Sequence, residues 1–224
     1  MSDLLVRASG LSRVFGNGHG AVVAIAEATF EVGPGDNIAL VGPSGSGKTS
    51  LLHLIAGIDQ PSAGVIEWPA LGGAEDLRPG PVALAFQGPS LLPPLTVAEN
   101  VALPALLAGT AEATAASAAQ ALIEQLGLAE VASKLPEEIS GGQAQRAGMA
   151  RALMGEPRLI LADEPTGQLD RAAAAGLMDV LFRHVEAAGT ALVVATHDQA
   201  MADRLPMRWT MTERILQTGT SCTL

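Results

Sequence analysis

The run Gly42-Pro43-Ser44-Gly45-Ser46-Gly47-Lys48-Thr49 carries the clearest chemistry in the chain. It follows an apolar segment, Asn37-Ile38-Ala39-Leu40-Val41, and leads into another, Leu51-Leu52-His53-Leu54-Ile55. That order fits G-x-x-x-x-G-K-[ST] set between a strand and a helix. Glycines let successive backbone N–H groups turn toward one anion. The helix that follows adds its unpaired N–H groups and the positive end of its dipole. The loop therefore predicts a cradle for nucleotide phosphates. Lys48 is placed to reach the β- and γ-phosphates, the Thr49 hydroxyl to hold Mg²⁺, and Ser50 continues the candidate set. The competing reading is a glycine turn that ends by chance in Gly-Lys-Thr. The chain's only lysines are Lys48 and Lys134, which argues against chance.

A second group of polar residues stands where apolar strands end. Leu159-Ile160-Leu161-Ala162 runs into Asp163 and Glu164. Open α/β sheets bind ligands at the C-terminal ends of their strands. Asp163 can hold Mg²⁺ through water there, and Glu164 can polarise the water that attacks a γ-phosphate. His197 ends the strand Ala191–Thr196 on the same edge. Gln87 follows the buried strand Val82–Phe86, where a neutral amide can ligate Mg²⁺ or orient water. Ser140-Gly141-Gly142-Gln143 opens a helix. Ser140 and Gln143 have capping-box spacing, while Gly141 and Gly142 are poor helix formers that permit close approach of backbone N–H groups to an anion. Both roles stay open. His19, His53 and His184 read as turn, core-adjacent and helix-surface residues.

These residues need elements to hold them. Strand-like alternation covers Leu4–Ala8 and Ala21–Val32, with a turn at Gly16–Gly20. Gly64–Trp68 is a short strand, and Leu71–Pro81 is loop-like. Ala111–Leu126 is an alanine-rich helix with Ala115, Ala119, Leu122, Ile123 and Leu126 on one face. Strand 158–163, helix 171–188 and strand 191–196 then alternate, which predicts a mostly parallel sheet. Residues 88–155 read as a helical subdomain inserted into an α/β core formed by 1–87 and 156–224, all within a single domain.

Composition narrows the classes. The chain has 224 residues, 48% of them hydrophobic, and a formal net charge of −10. That charge argues against a uniformly basic nucleic-acid surface. The one cysteine, Cys222, cannot make an internal disulfide, and a reducing compartment fits. No signal peptide is apparent at the N-terminus. No apolar run reaches the ~18–20 residues that span a bilayer, so a membrane role is expected to come through a partner.

Taken together, GPSGSGKT at 42–49, Gln87, SGGQ at 140–143, LILADE at 159–164, GQLD at 167–170 and His197 resemble the ATP-binding cassette of ABC transporters over essentially the whole chain. In that family they are the Walker A loop, Q-loop, signature, Walker B with catalytic glutamate, D-loop and H-loop. The resemblance implies an α/β fold: a P-loop NTPase (RecA-like) core with a mostly parallel sheet, an N-terminal antiparallel β subdomain and an inserted α-helical subdomain. It implies ATP and Mg²⁺ as ligands and ATP hydrolysis assisted by Glu164, His197 and Gln87. It further implies a head-to-tail homodimer. Ser140, Gly141, Gly142 and Gln143 would complete the phosphate cage in trans, with Asp170 at the dimer interface. Integral membrane permease subunits are the implied partners, with the chain peripheral on the cytoplasmic face of the membrane. Phe15 takes the place of the family's adenine-stacking aromatic; the alternative is a strand residue in the core.

The stretch Phe86–Val101, with Ala162–Gly167, is similar to the branch of lipoprotein-release, macrolide-efflux and antimicrobial-peptide-resistance ATPases, and to the cell-division ATPase. Four departures stand out. Gln168 replaces the branch's usual asparagine, Ile139 its usual leucine, and Glu137-Glu138 are acidic where it often has arginine and proline. Met207–Leu224 matches the usual C-terminal strand pair poorly. An exporter or mechanotransmitting complex is the expectation, with an importer or cell-division-type complex, a soluble non-transport cassette and a cassette without turnover as alternatives.

Overall fold

The computed structural model describes residues 3–88 and 90–219; Cys222 and Pro89 lie outside them. Among the described residues nine strands form one sheet in the order β4-β1-β2-β9-β8-β3-β7-β6-β5. In chain order these are β1 (Val6–Phe15), β2 (Val22–Val32), β3 (Asn37–Val41), β4 (Ala63–Glu67), β5 (Val82–Ala85), β6 (Leu159–Asp163), β7 (Ala191–Thr196), β8 (Met207–Thr212) and β9 (Ile215–Thr218). β8, β3, β7, β6 and β5 pair in parallel. β1 pairs antiparallel with both β2 and β4. The α/β architecture, with its parallel strands and antiparallel N-terminal part, is the expected one.

Parallel strands covered on both faces read as nearly continuous apolar runs, and side-chain alternation then splits each strand between two cores. In β6, Ile160 and Ala162 join one cluster, while Leu159 and Leu161 join the other. β7 divides likewise, with Leu192 and Val194 against Val193 and Ala195. The first cluster is completed by the helices α2 (Val97–Leu107), α3 (Glu112–Gln125), α4 (Gly141–Leu153) and α5 (Arg171–Ala188). The second packs α1 (Lys48–Ile55) and the N-terminal strands. A short α6 (Gln199–Ala202) follows β7.

The helix ends have local causes. Thr96 caps α2 in a capping box with Glu99, each side chain bonding the other's backbone N–H. Ser140 and Gln143 do the same for α4. Asp170 caps α5 by accepting from Ala173 N at 2.9 Å, and Gly189, at φ 64°, ends it in the left-handed conformation. The predicted α3 face is buried as expected.

Two expectations change. β1 does not stop at Ala8 but continues to Phe15 through register shifts after Ala8, Leu11 and Arg13. The C-terminal segment forms a strand pair after all: β8 and β9 are antiparallel, and β8 lies beside β3. The reason is non-local packing. Trp209, the largest fully buried side chain, meets Phe30 of β2 with ring centroids 5.0 Å apart. Among the described residues no helix is long and apolar enough to cross a membrane.

Candidate functional site

β3 ends at Val41 and α1 begins at Lys48, so the loop between them sits at the C-terminal edge of the parallel strands. Two of its glycines are required by their surroundings. A Cβ on Gly42 would strike the Met211 carbonyl of β8 and approach Ser46 Oγ at 2.9 Å. Gly47, at φ 106°, lies against the Ala24 carbonyl of β2, leaving no room for a Cβ. The loop is thus wedged between the C-terminal and N-terminal strands. Lys48 is buried, and its Nζ donates to the carbonyls of Gly42 at 2.8 Å and Pro43 at 3.1 Å. Pro43, Ser44 and Gly45 are exposed, and Ser50 is half-buried.

Thr49 Oγ1 donates to Asp163 Oδ2 at 2.6 Å, joining the start of α1 to the end of β6. Asp163 is buried, and burial is the main reason its carboxyl is pushed above the usual carboxylate range. The neighbouring Glu164 charge pushes the same way, while the Thr49 hydrogen bond, His53 and Lys48 oppose. Ser46 Oγ is buried with no hydrogen-bond partner among the described residues. The adjacent hydroxyl and carboxylate oxygens of Thr49 and Asp163 suit Mg²⁺, a hard ion that takes one or two protein oxygens and completes its shell from phosphates and water.

Glu164 occupies the left-handed region at φ 47°, which is uncommon for a non-glycine residue and held only where surroundings enforce it. Its N–H donates to Ala195 O at 2.9 Å. Its carbonyl accepts from Gly167 N at 3.1 Å and from Gln145 Nε2 at 2.8 Å. Its carboxylate meets His197 Nδ1 at 2.8 Å. Gln87 is exposed just past β5, and Ala85 of that strand pairs with Ala162 of β6. The same strand edge therefore carries Gln87, Asp163, Glu164 and His197 around the P-loop.

The remaining candidates form a second surface. Ser140, Gly141, Gly142 and Gln143 start α4, and the 168–170 segment lies against them. A Cβ on Gly141 would strike Gln168 Oε1, and one on Gly142 would meet Leu169 Cδ2 at 3.1 Å. The two glycines thus make room for this loop, a steric role in addition to any approach to an anion. Asp170 is exposed at the start of α5. Phe15 is 42% exposed, so it is not a core residue. It ends β1 opposite Val22, close to the point where β2 touches Gly47, and Arg13 covers one face of its ring at 4.4 Å.

Two side chains escape the sequence reading. Gln145 bridges Glu164 to the loop that follows, because its Oε1 also accepts from Gln168 N at 2.9 Å. Asn100 is fully buried, and its amide bonds Leu92, Leu95 and Thr96, which shapes the loop before α2. In a sequence both look like ordinary polar helix residues; what marks them is that backbone groups take up the whole amide, from the adjoining loop for Asn100 and from 19 and 23 residues away for Gln145.

The family model described as ABC transporter matches residues 25–167. The lipoprotein-releasing system ATP-binding protein LolD of Legionella pneumophila (strain Paris) is 38% identical over 212 residues, covering 92% of this chain and 93% of the relative. LolD of Shewanella sp. (strain MR-4) is 37% identical over 228 residues, covering 97% of each. Among solved structures, the ATP-binding cassette MJ0796, a dimer in a post-hydrolysis state bound to ADP and Pi, superposes with a TM-score of 0.90. It is 27% identical and covers 98% of this chain and 99% of its own.

Proposed function

The chain belongs to the ABC transporter family, and from that membership we propose that it is the ATP-hydrolysing subunit of a lipoprotein-release-type complex. In this reading two copies face each other head to tail and drive separate membrane subunits. The observation that carries it is the convergence on one strand edge of the P-loop, the Thr49–Asp163 pair and the Glu164–His197 pair.

Each group has a task there. The backbone N–H groups of 42–47 and Lys48 bind the β- and γ-phosphates, and Phe15 offers a ring face to the adenine. Thr49 and Asp163, with Gln87 on the adjacent strand end, hold Mg²⁺, which neutralises charge on the phosphate oxygens when bound. Glu164 orients the attacking water and accepts its proton at the carboxylate, while His197 fixes that carboxylate. Ser140–Gln143 closes over the γ-phosphate of the facing copy, with Asp170 beside the shared boundary. The dimeric MJ0796 cassette supports the paired arrangement. That the LolD relatives are ATP-binding proteins of a lipoprotein-releasing system supports lipoproteins as the cargo of the whole complex; permease partners and a place at the cytoplasmic face of the membrane are part of the same proposal.

The test is phosphate release by the purified chain in Mg-ATP, together with ATP affinity of Lys48→Ala. The parent turns over and the variant loses affinity by at least tenfold. Undiminished ATP binding by Lys48→Ala refutes the phosphate cradle.

A further inference from the structure

Gln145 has no part in the motifs that define the site, yet it is the side chain that joins them. It lies on α4, five residues after Ser140, and only 7% of it is exposed. Both ends of its amide are engaged. Nε2 donates to the carbonyl of Glu164 at 2.8 Å, and Oε1 accepts from the N–H of Gln168 at 2.9 Å. The first bond grips a peptide that is under conformational strain, since Glu164 sits at φ 47°. Strain of this kind relaxes unless neighbouring groups hold it, and a relaxed φ swings the Glu164 carboxylate away from His197. The second bond fixes the loop whose Gln168 and Leu169 rest on Gly141 and Gly142. One buried amide therefore ties the start of α4 to the backbone of Glu164 and to the loop between them.

We propose that Gln145 is a positioning residue for hydrolysis: its amide holds the Glu164 peptide so that the carboxylate meets the attacking water. It does so without touching nucleotide. The inference rests on the reading of Glu164 as the hydrolytic carboxylate. Its chemistry makes a specific demand on the donor end. A carboxylate in place of the amide can still accept from Gln168 N but cannot donate to Glu164 O, and it sets a charge against a carbonyl oxygen. Protonating that carboxylate restores a donor.

The experiment compares the parent with Gln145→Ala, Gln145→Glu and Glu164→Gln in steady-state ATP hydrolysis. Gln145→Ala is expected to lower kcat on the order of ten- to hundredfold, the size of a misplacement effect, with KM for ATP within about twofold. Gln145→Glu is expected to fall as far at about pH 8, and its activity relative to the parent at the same pH rises toward about pH 6, as a buried carboxyl takes up its proton. Binding of ATP to Gln145→Ala/Glu164→Gln should equal that of Glu164→Gln alone, which also reports a folded chain. Parental kcat in Gln145→Ala overturns the proposal, as does a Gln145→Glu ratio that does not change with pH. Loss of ATP binding or of the folded state in both Gln145 variants makes the residue structural and overturns it too. Full activity in Glu164→Gln instead refutes the reading beneath it.

Discussion

Glu164 Oε2 and His197 Nδ1 lie 2.8 Å apart, one at the end of β6 and the other just past β7. The two side chains differ in exposure: 12% of the glutamate is open to solvent against 71% of the histidine. The carboxylate is thus set in place from beneath by its own strained backbone and from above by the imidazole. β6 and β7 are hydrogen-bonded neighbours, with Asp163 opposite Ala195, so the pair is a direct consequence of strand register.

That arrangement predicts the behaviour of Glu164→Gln. The amide keeps the size and a hydrogen-bonding oxygen for His197 but cannot take up a proton. Steady hydrolysis should fall by at least ~10²-fold, the lower end of general-base effects, while ATP binding persists. The variant should then accumulate as an ATP-bound dimer in size-exclusion chromatography with light scattering. A variant that stays monomeric with ATP and still turns over refutes the role assigned to Glu164.

Two of the three P-loop glycines, Gly45 and Gly47, should respond unequally to alanine. Both have positive φ, at 75° and 106°. Around Gly45 a Cβ finds open space, so the cost is conformational and about 1 kcal/mol. At Gly47 the Cβ meets the Ala24 carbonyl, and a backbone atom of β2 has to move. Gly47→Ala should therefore lose clearly more stability than Gly45→Ala in urea denaturation. Equal losses mean that the contact between β2 and the P-loop is not rigid.

Where local chemistry and long-range packing agree, the sequence was sufficient. Helix 171–188 and strand 191–196 have the expected bounds, because Asp170 caps the helix, Gly189 ends it, and every residue of the strand is apolar or threonine. Asp163, Glu164 and His197 were legible as strand-end residues for the same reason. The second half of β1 does not read as a strand in the sequence, because its bulges break the alternation that marks one. β8 and β9 depend on distant partners, Phe30 for Trp209 and Gly42 for Met211, which no local pattern shows. Gln145 was invisible because its partners are 19 and 23 residues away, and a glutamine in a helix ordinarily faces water.

Phe15 offers a test of base recognition. One ring face is covered by Arg13, whose guanidinium is itself held by Asp59 at 2.7 Å, and the ring is well exposed. If the open face stacks on adenine, Phe15→Ala should lose about 1–3 kcal/mol of ATP affinity, or roughly fivefold or more in Kd. Phe15→Trp should keep it. Fluorescence titration with ATP reads both variants, and an unchanged Kd in Phe15→Ala assigns the ring to another role.

Asp163 should make stability depend on pH in the sense opposite to a salt-bridged acid. Burial raises its carboxyl above the usual range, so the folded chain binds a proton more tightly there than the unfolded chain. Folded stability from this group is therefore greatest when the carboxyl is protonated, and it falls as pH rises from the unfolded value, about 3.9, through the raised folded one. Asp163→Asn removes the desolvated charge and can still accept from Thr49 through its amide oxygen. In a chelator, to keep divalent ions away, the variant should melt at a higher temperature than the parent at neutral pH. The gap should narrow as pH falls toward 4, provided both chains remain reversible in the melt. Hydrolysis should be lost in the same variant, because the amide is a poorer ligand for Mg²⁺ than the carboxylate. A lower melting temperature for Asp163→Asn at neutral pH means that the Thr49 hydrogen bond outweighs the desolvated charge.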